Sequence, residues 1–397
     1  MKRIVAFILA FISLPALQGC SFPEAFEIEQ TQRVLVAGLD VENGEIVLTA
    51  MADTTEGSEP EQEKVSFRLY TARGETVSEA ENMLGALTDK HITWHHTKYI
   101  IIGEDAAKEG IARLFSFFTE DDEARLLYRI AVAKESTAKD FLLKANTIKG
   151  GLGGYLDALF SGAGRTGFTR EIHLLNYAAY SEIPWVSVYI PTVEVFENPV
   201  GKGGAESGDE GGNEGESEQE FMIKAQGFAL FDGDKLAGYL DARSARALNF
   251  LTGDVNRSLI SVKDEKGKAA ALDLIGAHTK VTPSFDPLFV EIEVDLQSNL
   301  TEYKGIDPME ADDLQYLAQR HSEIIRDEMA EAVSQMQSMA CDPAFIMDRF
   351  YHKDPVKWQE LKDDWKDVFT KLKVKIKVST TIHSTYEFAQ TAGEEGG

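Results

Sequence analysis

The sequence predicts a multidomain α+β protein in which mostly antiparallel or mixed sheets pack against helices. Three observations carry that prediction. β-Branched runs near the start flank an Asn-Gly turn, helix and strand spacings alternate over about residues 74–150, and one long helix-periodic segment fills residues 309–339. With 397 residues, 43% hydrophobic and 27% charged, the chain is long enough for two or three cores and has a globular rather than a disordered composition.

The first twenty residues describe processing rather than fold. Lys2 and Arg3 give a positive start, Ile4 to Leu14 an apolar run too short to span a hydrocarbon core comfortably, and Leu17-Gln18-Gly19-Cys20 a cleavage site ending in cysteine. This stretch resembles a bacterial lipoprotein signal. The resemblance implies removal of residues 1–19 and lipid attachment at Cys20; an ordinary cleaved signal peptide is the alternative. Two acyl chains hold a protein to a bilayer far more firmly than one. No later stretch approaches eighteen consecutive apolar residues, so no other segment is expected to span a membrane.

Ser21 to Thr31 reads as a polar tether. Val34 to Asp40 and Ile46 to Ala50 are strands joined by a hairpin turn at Glu42-Asn43-Gly44-Glu45, and Ser66 to Tyr70 is a third strand, giving a small sheet. Thr76 to His91 has helical spacing, with Ala80, Met83, Leu84 and Leu87 on one face and a capping-box signature in Thr76 and Glu79. Then follow a strand at Tyr99–Ile102, a helix at Glu104–Phe118, a strand at Tyr128–Ala133 and a helix at Thr137–Lys144. Gly150 to Gly167 is glycine-rich and reads as a surface loop. Within it Gly162, Gly164 and Gly167 match G-x-G-x-x-G, but the preceding residues read helical where a dinucleotide site requires a strand. Pro184 to Pro191 is a proline-bracketed strand. Residues 198–220 are almost all Gly, Glu, Asp and Ser and read as a self-repelling linker or long loop.

Beyond it, Ala225 to Leu240 gives a strand, an Asp-Gly turn and a second strand, with a helix beginning near Asp241. Val290 to Leu296 alternates apolar and acidic residues, whereas Lys371 to Val378 alternates lysine and apolar residues, so two half-buried strands are expected whose outer faces pair by charge if they are neighbours. Leu314, Leu317, Ile324 or Ile325, Ala332, Val333 and Met336 stripe the long helix, which is expected to pack on its own domain's sheet, with a partner helix as the alternative.

The formal net charge of −26 becomes still more negative without Lys2 and Arg3 and argues against a nucleic-acid partner. If Cys20 is lipidated, Cys341 has no disulfide partner and reads as a core or helix-end residue. His91, His95 and His96 cluster in sequence without the further ligands a zinc site needs. No Gly-x-Ser-x-Gly elbow or isolated carboxylate pair selects a nucleophile or an acid–base couple. The residues therefore nominate no catalytic, cofactor or metal site, and Cys20 is the one site residue.

Several pieces in fixed order resemble the C-subunit family of spore germinant receptors, which are lipoproteins. They are the Cys20 signal, Val36-Ala-Gly38-Leu-Asp40, Gly74-Glu75-Thr76 and Lys98-Tyr-Ile-Ile-Ile-Gly103-Glu104. Gly227-Phe-Ala-Leu-Phe231 with Lys235-Leu-Ala-Gly238-Tyr-Leu240 continues the order, as do Ala245-Arg-Ala-Leu-Asn-Phe-Leu-Thr-Gly253 and Trp358, Trp365 and Phe369. Thr370 stands where that family usually has proline, Ser384-Thr385-Tyr386 where Arg-Thr-Gly is common, and Cys341 where other residues are usual. The resemblance implies a mixed α/β protein of three domains, with residues 20–197 and 221–388 as its two germination-protein regions and a short tail at 389–397. It also implies a non-enzymatic lipoprotein on the outer face of the spore inner membrane, working with polytopic A-type and B-type subunits. Whether this subunit contacts the germinant is left open. The rival reading is a solute-binding lipoprotein of an uptake system.

Overall fold

The computed structural model describes residues 30–54, 66–120, 126–148, 151–197, 221–255, 257–305 and 311–384. Cys20, the 198–220 stretch and the tail lie outside the described residues.

A nine-stranded mixed sheet forms the first layer, in the order β3-β2-β1-β5-β6-β7-β8-β9, with β4 also paired to β1. The strands are β1 (Thr31–Glu42), β2 (Glu45–Thr54), β3 (Ser66–Gly74), β4 (His91–Thr93), β5 (Tyr99–Gly103), β6 (Arg129–Ala133), β7 (Tyr189–Glu197), β8 (Phe221–Asp232) and β9 (Lys235–Leu240). β1, β5, β6 and β7 run parallel at its centre, and antiparallel meanders flank them on both sides. The β1–β2 hairpin turns at Asn43 and Gly44, both at positive φ (54° and 86°), as the Asn-Gly pair predicts. All five residues of β5 are buried, because helices cover both faces of the sheet there. On one face lie α1 (Val77–Gly85), α2 (Glu104–Glu109), α3 (Ala112–Glu120) and α6 (Leu174–Ser181); on the other lie α4 (Ala138–Ala145) and α5 (Leu152–Thr166). β7 and β8 pair up to Glu197 and Phe221, so strands from both sides of residues 198–220 belong to one sheet.

The second layer is a four-stranded sheet of β10 (Ser258–Lys263), β11 (Ala269–Phe285), β12 (Leu288–Tyr303) and β13 (Lys373–Ser384), in that order. β10 alternates buried and exposed residues, the pattern of a sheet covered on one face. Its cover is α8 (Ala311–Ser338), the long helix the sequence predicts, with α9 (Ile346–Lys353), α10 (Pro355–Trp358) and α11 (Trp365–Lys371). α7 (Ala242–Thr252) contacts β8 of the first sheet and β11 of the second, and every residue from Ser244 to Leu251 is buried. It is therefore a helix buried all round rather than an amphipathic one.

Four local expectations need correction. The predicted helix from Thr76 to His91 stops at Gly85: Thr88 Oγ1 accepts from Lys90 N in a local turn, and His91–Thr93 pairs with β1 instead. Its buried stripe is Val77, Ala80 and Leu84, while Met83 is exposed. The helix at 104–118 is two helices, broken at Gly110, whose φ is 130°. The glycine-rich 150–167 loop is mostly helix, because Leu152, Leu156, Phe160 and Ala163 form a buried stripe that outweighs the cost of its glycines. The strand expected at 184–191 begins only at Tyr189, since Ser187 N donates to Asp342 O across the molecule rather than to a sheet neighbour.

Candidate functional site: buried polar joints and the entry end

The residues that the sequence marks as a pattern occupy joints between elements. Asp40, at the end of β1's central stretch, is buried and accepts from Ala138 N (2.7 Å) and Lys139 N (2.9 Å), tying that strand to the start of α4. Thr137 Oγ1 caps the same helix by accepting from Asp140 N at 3.0 Å. Burial raises the Asp40 pKa, and the two backbone N–H groups pull against it. Gly103 belongs to this joint: a Cβ there would lie 1.9 Å from Asp40 Oδ1. Gly227, at φ 91°, has Leu240 O 2.5 Å from where a Cβ would stand, so β8 and β9 close only around glycine.

A second joint connects the two layers. Asp342 lies just beyond α8 and is fully buried; its carboxylate accepts from Ile346 N (3.0 Å) and Met347 N (2.6 Å), the first turn of α9. Its backbone exchanges bonds with Ser187: Asp342 N donates to Ser187 Oγ and Ser187 N to Asp342 O, each at 3.0 Å. Trp185 Nε1 donates to Asp348 Oδ1 at 3.0 Å, and the Trp185 ring meets Trp358 edge-on at 5.0 Å. Burial pushes the Asp342 carboxyl up to about 7. The neighbouring Cys341 is buried and free; burial pushes its thiol up to about 11, which keeps it protonated at neutral pH.

A third joint lies between α7 and α8. Arg246 sends Nε and Nη2 to the Glu328 carboxylate (3.1 and 2.5 Å) and Nη1 to Ser258 Oγ (3.3 Å), and its guanidinium lies over Phe168. Further along α8, His321 is buried with Nδ1 3.0 Å from Thr380 Oγ1 of β13. Burial first, and Arg246 second, lower its pKa to about 4.

The remaining sequence candidates fall elsewhere. Gly162, Gly164 and Gly167 close the last turn and C-cap of α5, with Gly167 left-handed at φ 72°, whereas a dinucleotide site needs such glycines to open a helix. His91 starts β4, and exposed His95 and His96 lie in the turn before β5. Among the described residues, no three His, Cys, Asp or Glu side chains converge as metal ligands. β12 and β13 are neighbours: Lys377 Nζ meets Glu291 Oε1 at 2.9 Å, and Lys375 lies over Phe289. A polar cleft of about 490 Å³ includes Lys134, Glu194, Lys224, Tyr239 and Arg243 in its lining; Lys224 pairs with Glu194 at 2.8 Å. No described helix is long and apolar enough to cross a membrane.

Sequence reading gave Asp40 and Asp342 no role. For Asp342 a signal existed: an Asp-Pro pair shortly ahead of an apolar helical run is a helix-start pattern.

The fold and its joints define an α+β protein built from two dissimilar sheets locked together by buried polar contacts. Residues 24–195 match the model of the spore germination protein N-terminal domain, and residues 226–386 match the spore germination B3/GerAC-like C-terminal model. The chain belongs to this GerAC-like family of spore germination proteins. It is 22% identical to spore germination protein B3 of Bacillus subtilis, over 96% of this chain and 98% of that one. To the putative spore germination protein YfkR of the same organism it is 23% identical, over 80% of this chain and 78% of the relative. The crystal structure of the GerBC protein shares the fold, with a TM-score of 0.56 and 18% identity, covering 87% of this chain and 96% of that one.

Proposed function

We propose that this chain is the non-enzymatic lipoprotein subunit of a nutrient germinant receptor. It is anchored through Cys20 to the outer face of the spore inner membrane and assembles there with polytopic A-type and B-type subunits. The observation that carries the reading is the end-to-end match to spore germination protein B3, in which both family regions follow one another in this chain. The Leu17–Cys20 motif supplies the anchor, and the described body, with no membrane-crossing helix, suits a protein held at a membrane rather than within it. The buried joints support a part that transmits or holds geometry: the Asp40 and Asp342 carboxylates are spent on the N–H groups at helix starts, and the Cys341 thiol is protonated. The solute-binder reading expects two similar lobes around a cleft, whereas a nine-stranded and a four-stranded sheet stand here. Co-purification from spore inner membranes tests the proposal, with two polytopic germination proteins expected to accompany the tagged chain. Recovery of a transport permease with its ATPase would favour the solute binder.

A further inference from the structure

β13 is the last strand of the second sheet, and its outer edge is open. Among the described residues, Lys373–Ser384 pairs with β12 alone, and no backbone hydrogen bond joins it to any other segment. Every second residue of such an edge turns its N–H and C=O outward. The edge runs for 12 residues, whereas β10 at the opposite edge of the sheet has 6.

Both faces of the sheet are also unfinished at β13. On the side that α8 covers, Val290, Ile292 and Val294 of β12 are at most 1% exposed, whereas their partners Val374, Ile376 and Val378 in β13 are only half-buried. The apolar layer under α8 therefore stops one strand short of full burial. On the other side β13 presents Lys373, Lys375 and Lys377, all exposed. β12 brings Glu291, Glu293 and Asp295 to that face. Lys377 meets Glu291 and Glu293 at 2.9 and 3.6 Å, Lys280 of β11 lies 3.9 Å from Glu293, and Asp295 accepts from Ser379 Oγ. Among the described residues, Lys373 and Lys375 have no carboxylate at ion-pair distance; Lys375 lies over the Phe289 ring at 4.0 Å.

These features select what fits the edge. A second copy of β13 would set one lysine row against another, and like charges across a strand pair destabilise it. The acidic runs of this chain at 56–63, 120–123 and 198–220 have no alternating apolar residues to finish the layer under α8. A strand of the kind that already occupies the inner edge, with Val290, Ile292 and Val294 on one face and Glu291, Glu293 and Asp295 on the other, matches both faces at once. We infer that the outer edge of β13 accepts an added strand from a partner protein, one that turns apolar residues toward α8 and acidic residues toward the lysine row. The inference stands on this edge alone and not on the anchor or on the identity of the complex.

The test titrates the intact chain with two fluorescein-labelled eight-residue peptides, one alternating Val and Glu and the other Val and Lys. Fluorescence anisotropy is expected to show the Val-Glu peptide binding about tenfold or more tighter, because opposite charges face each other across the new pair. Lys373→Gln with Lys375→Gln, both exposed and checked for folding by thermal unfolding, should weaken it roughly fivefold. Amide hydrogen exchange should slow in residues 373–382 when the Val-Glu peptide is bound, and stay unchanged in β10. Equal binding of the two peptides, or binding that leaves exchange in 373–382 unaltered, overturns the inference. Slowed exchange there with phosphatidylglycerol vesicles but not with peptide overturns it in favour of a lipid contact. Slowing that grows with protein concentration in the absence of peptide overturns it in favour of self-pairing.

Discussion

Asp342 and His321 are both buried in the same core, yet they pull stability in opposite directions with pH. The Asp342 carboxyl, raised from 3.8 to about 7, holds its proton in the folded state between those values while the unfolded chain has lost it, so its contribution falls as pH rises from about 4 to 7. His321, lowered from 6.5 to about 4, stays neutral when folded while the unfolded chain takes up a proton, so its contribution rises with pH from about 4 to 6.5. Wild-type stability over this range is expected to be comparatively flat, and Asp342→Asn to unmask a rising limb, measured as urea midpoints at pH 4.5 and 6.5. Asp342→Ala should cost about 2 kcal/mol near neutral pH, because it leaves two N–H groups at the buried start of α9 without their acceptor. Gly103→Ala should also destabilise by about 2 kcal/mol or more, since its Cβ would overlap Asp40 Oδ1. At this scale the sequence showed where such residues stand but not why. Gly103 and Asp40 are separated by more than sixty positions, and only the pairing of β1 with β5 brings them into contact.

Among elements, the α7–α8 joint is the most sensitive to substitution. Arg246→Met leaves Glu328 as an uncompensated, largely buried carboxylate and is expected to cost about 3 kcal/mol, most of which Arg246→Met with Glu328→Leu should restore; thermal unfolding of the three chains checks it. The Lys377–Glu291 contact between β12 and β13 is exposed, so Lys377→Glu should lower stability only slightly, and less in high salt. These elements were unequally legible. The β1–β2 hairpin, the long α8 and the acidic and basic strands announce themselves by turn chemistry and period, and each stands where the pattern puts it. α5 hid behind its glycines, because a stripe of four apolar residues outweighs propensity only once a sheet is present to receive it. The segment 184–188 looked like a strand because apolar residues between prolines carry no sign of a partner more than 150 residues away in Asp342.

For the whole molecule, composition and order pointed to an α+β chain of several parts, and the strand order needed the structure: β8 and β9, which follow residues 198–220, complete the first sheet instead of starting a second. With α7 between the sheets and the Ser187–Asp342 contact across them, a change at one layer has a packed route to the other. The proposed anchor at Cys20 belongs to this scale too, because lipid there would hold the start of the chain at a membrane. The most direct measurement is to tag the carboxyl terminus, solubilise spore inner membranes in mild detergent, and identify by mass spectrometry what accompanies the wild-type chain and Cys20→Ala. The account predicts two polytopic germination proteins with the wild type, reduced or lost with Cys20→Ala. A transport permease with its ATPase, or no membrane-embedded partner at all, would contradict it.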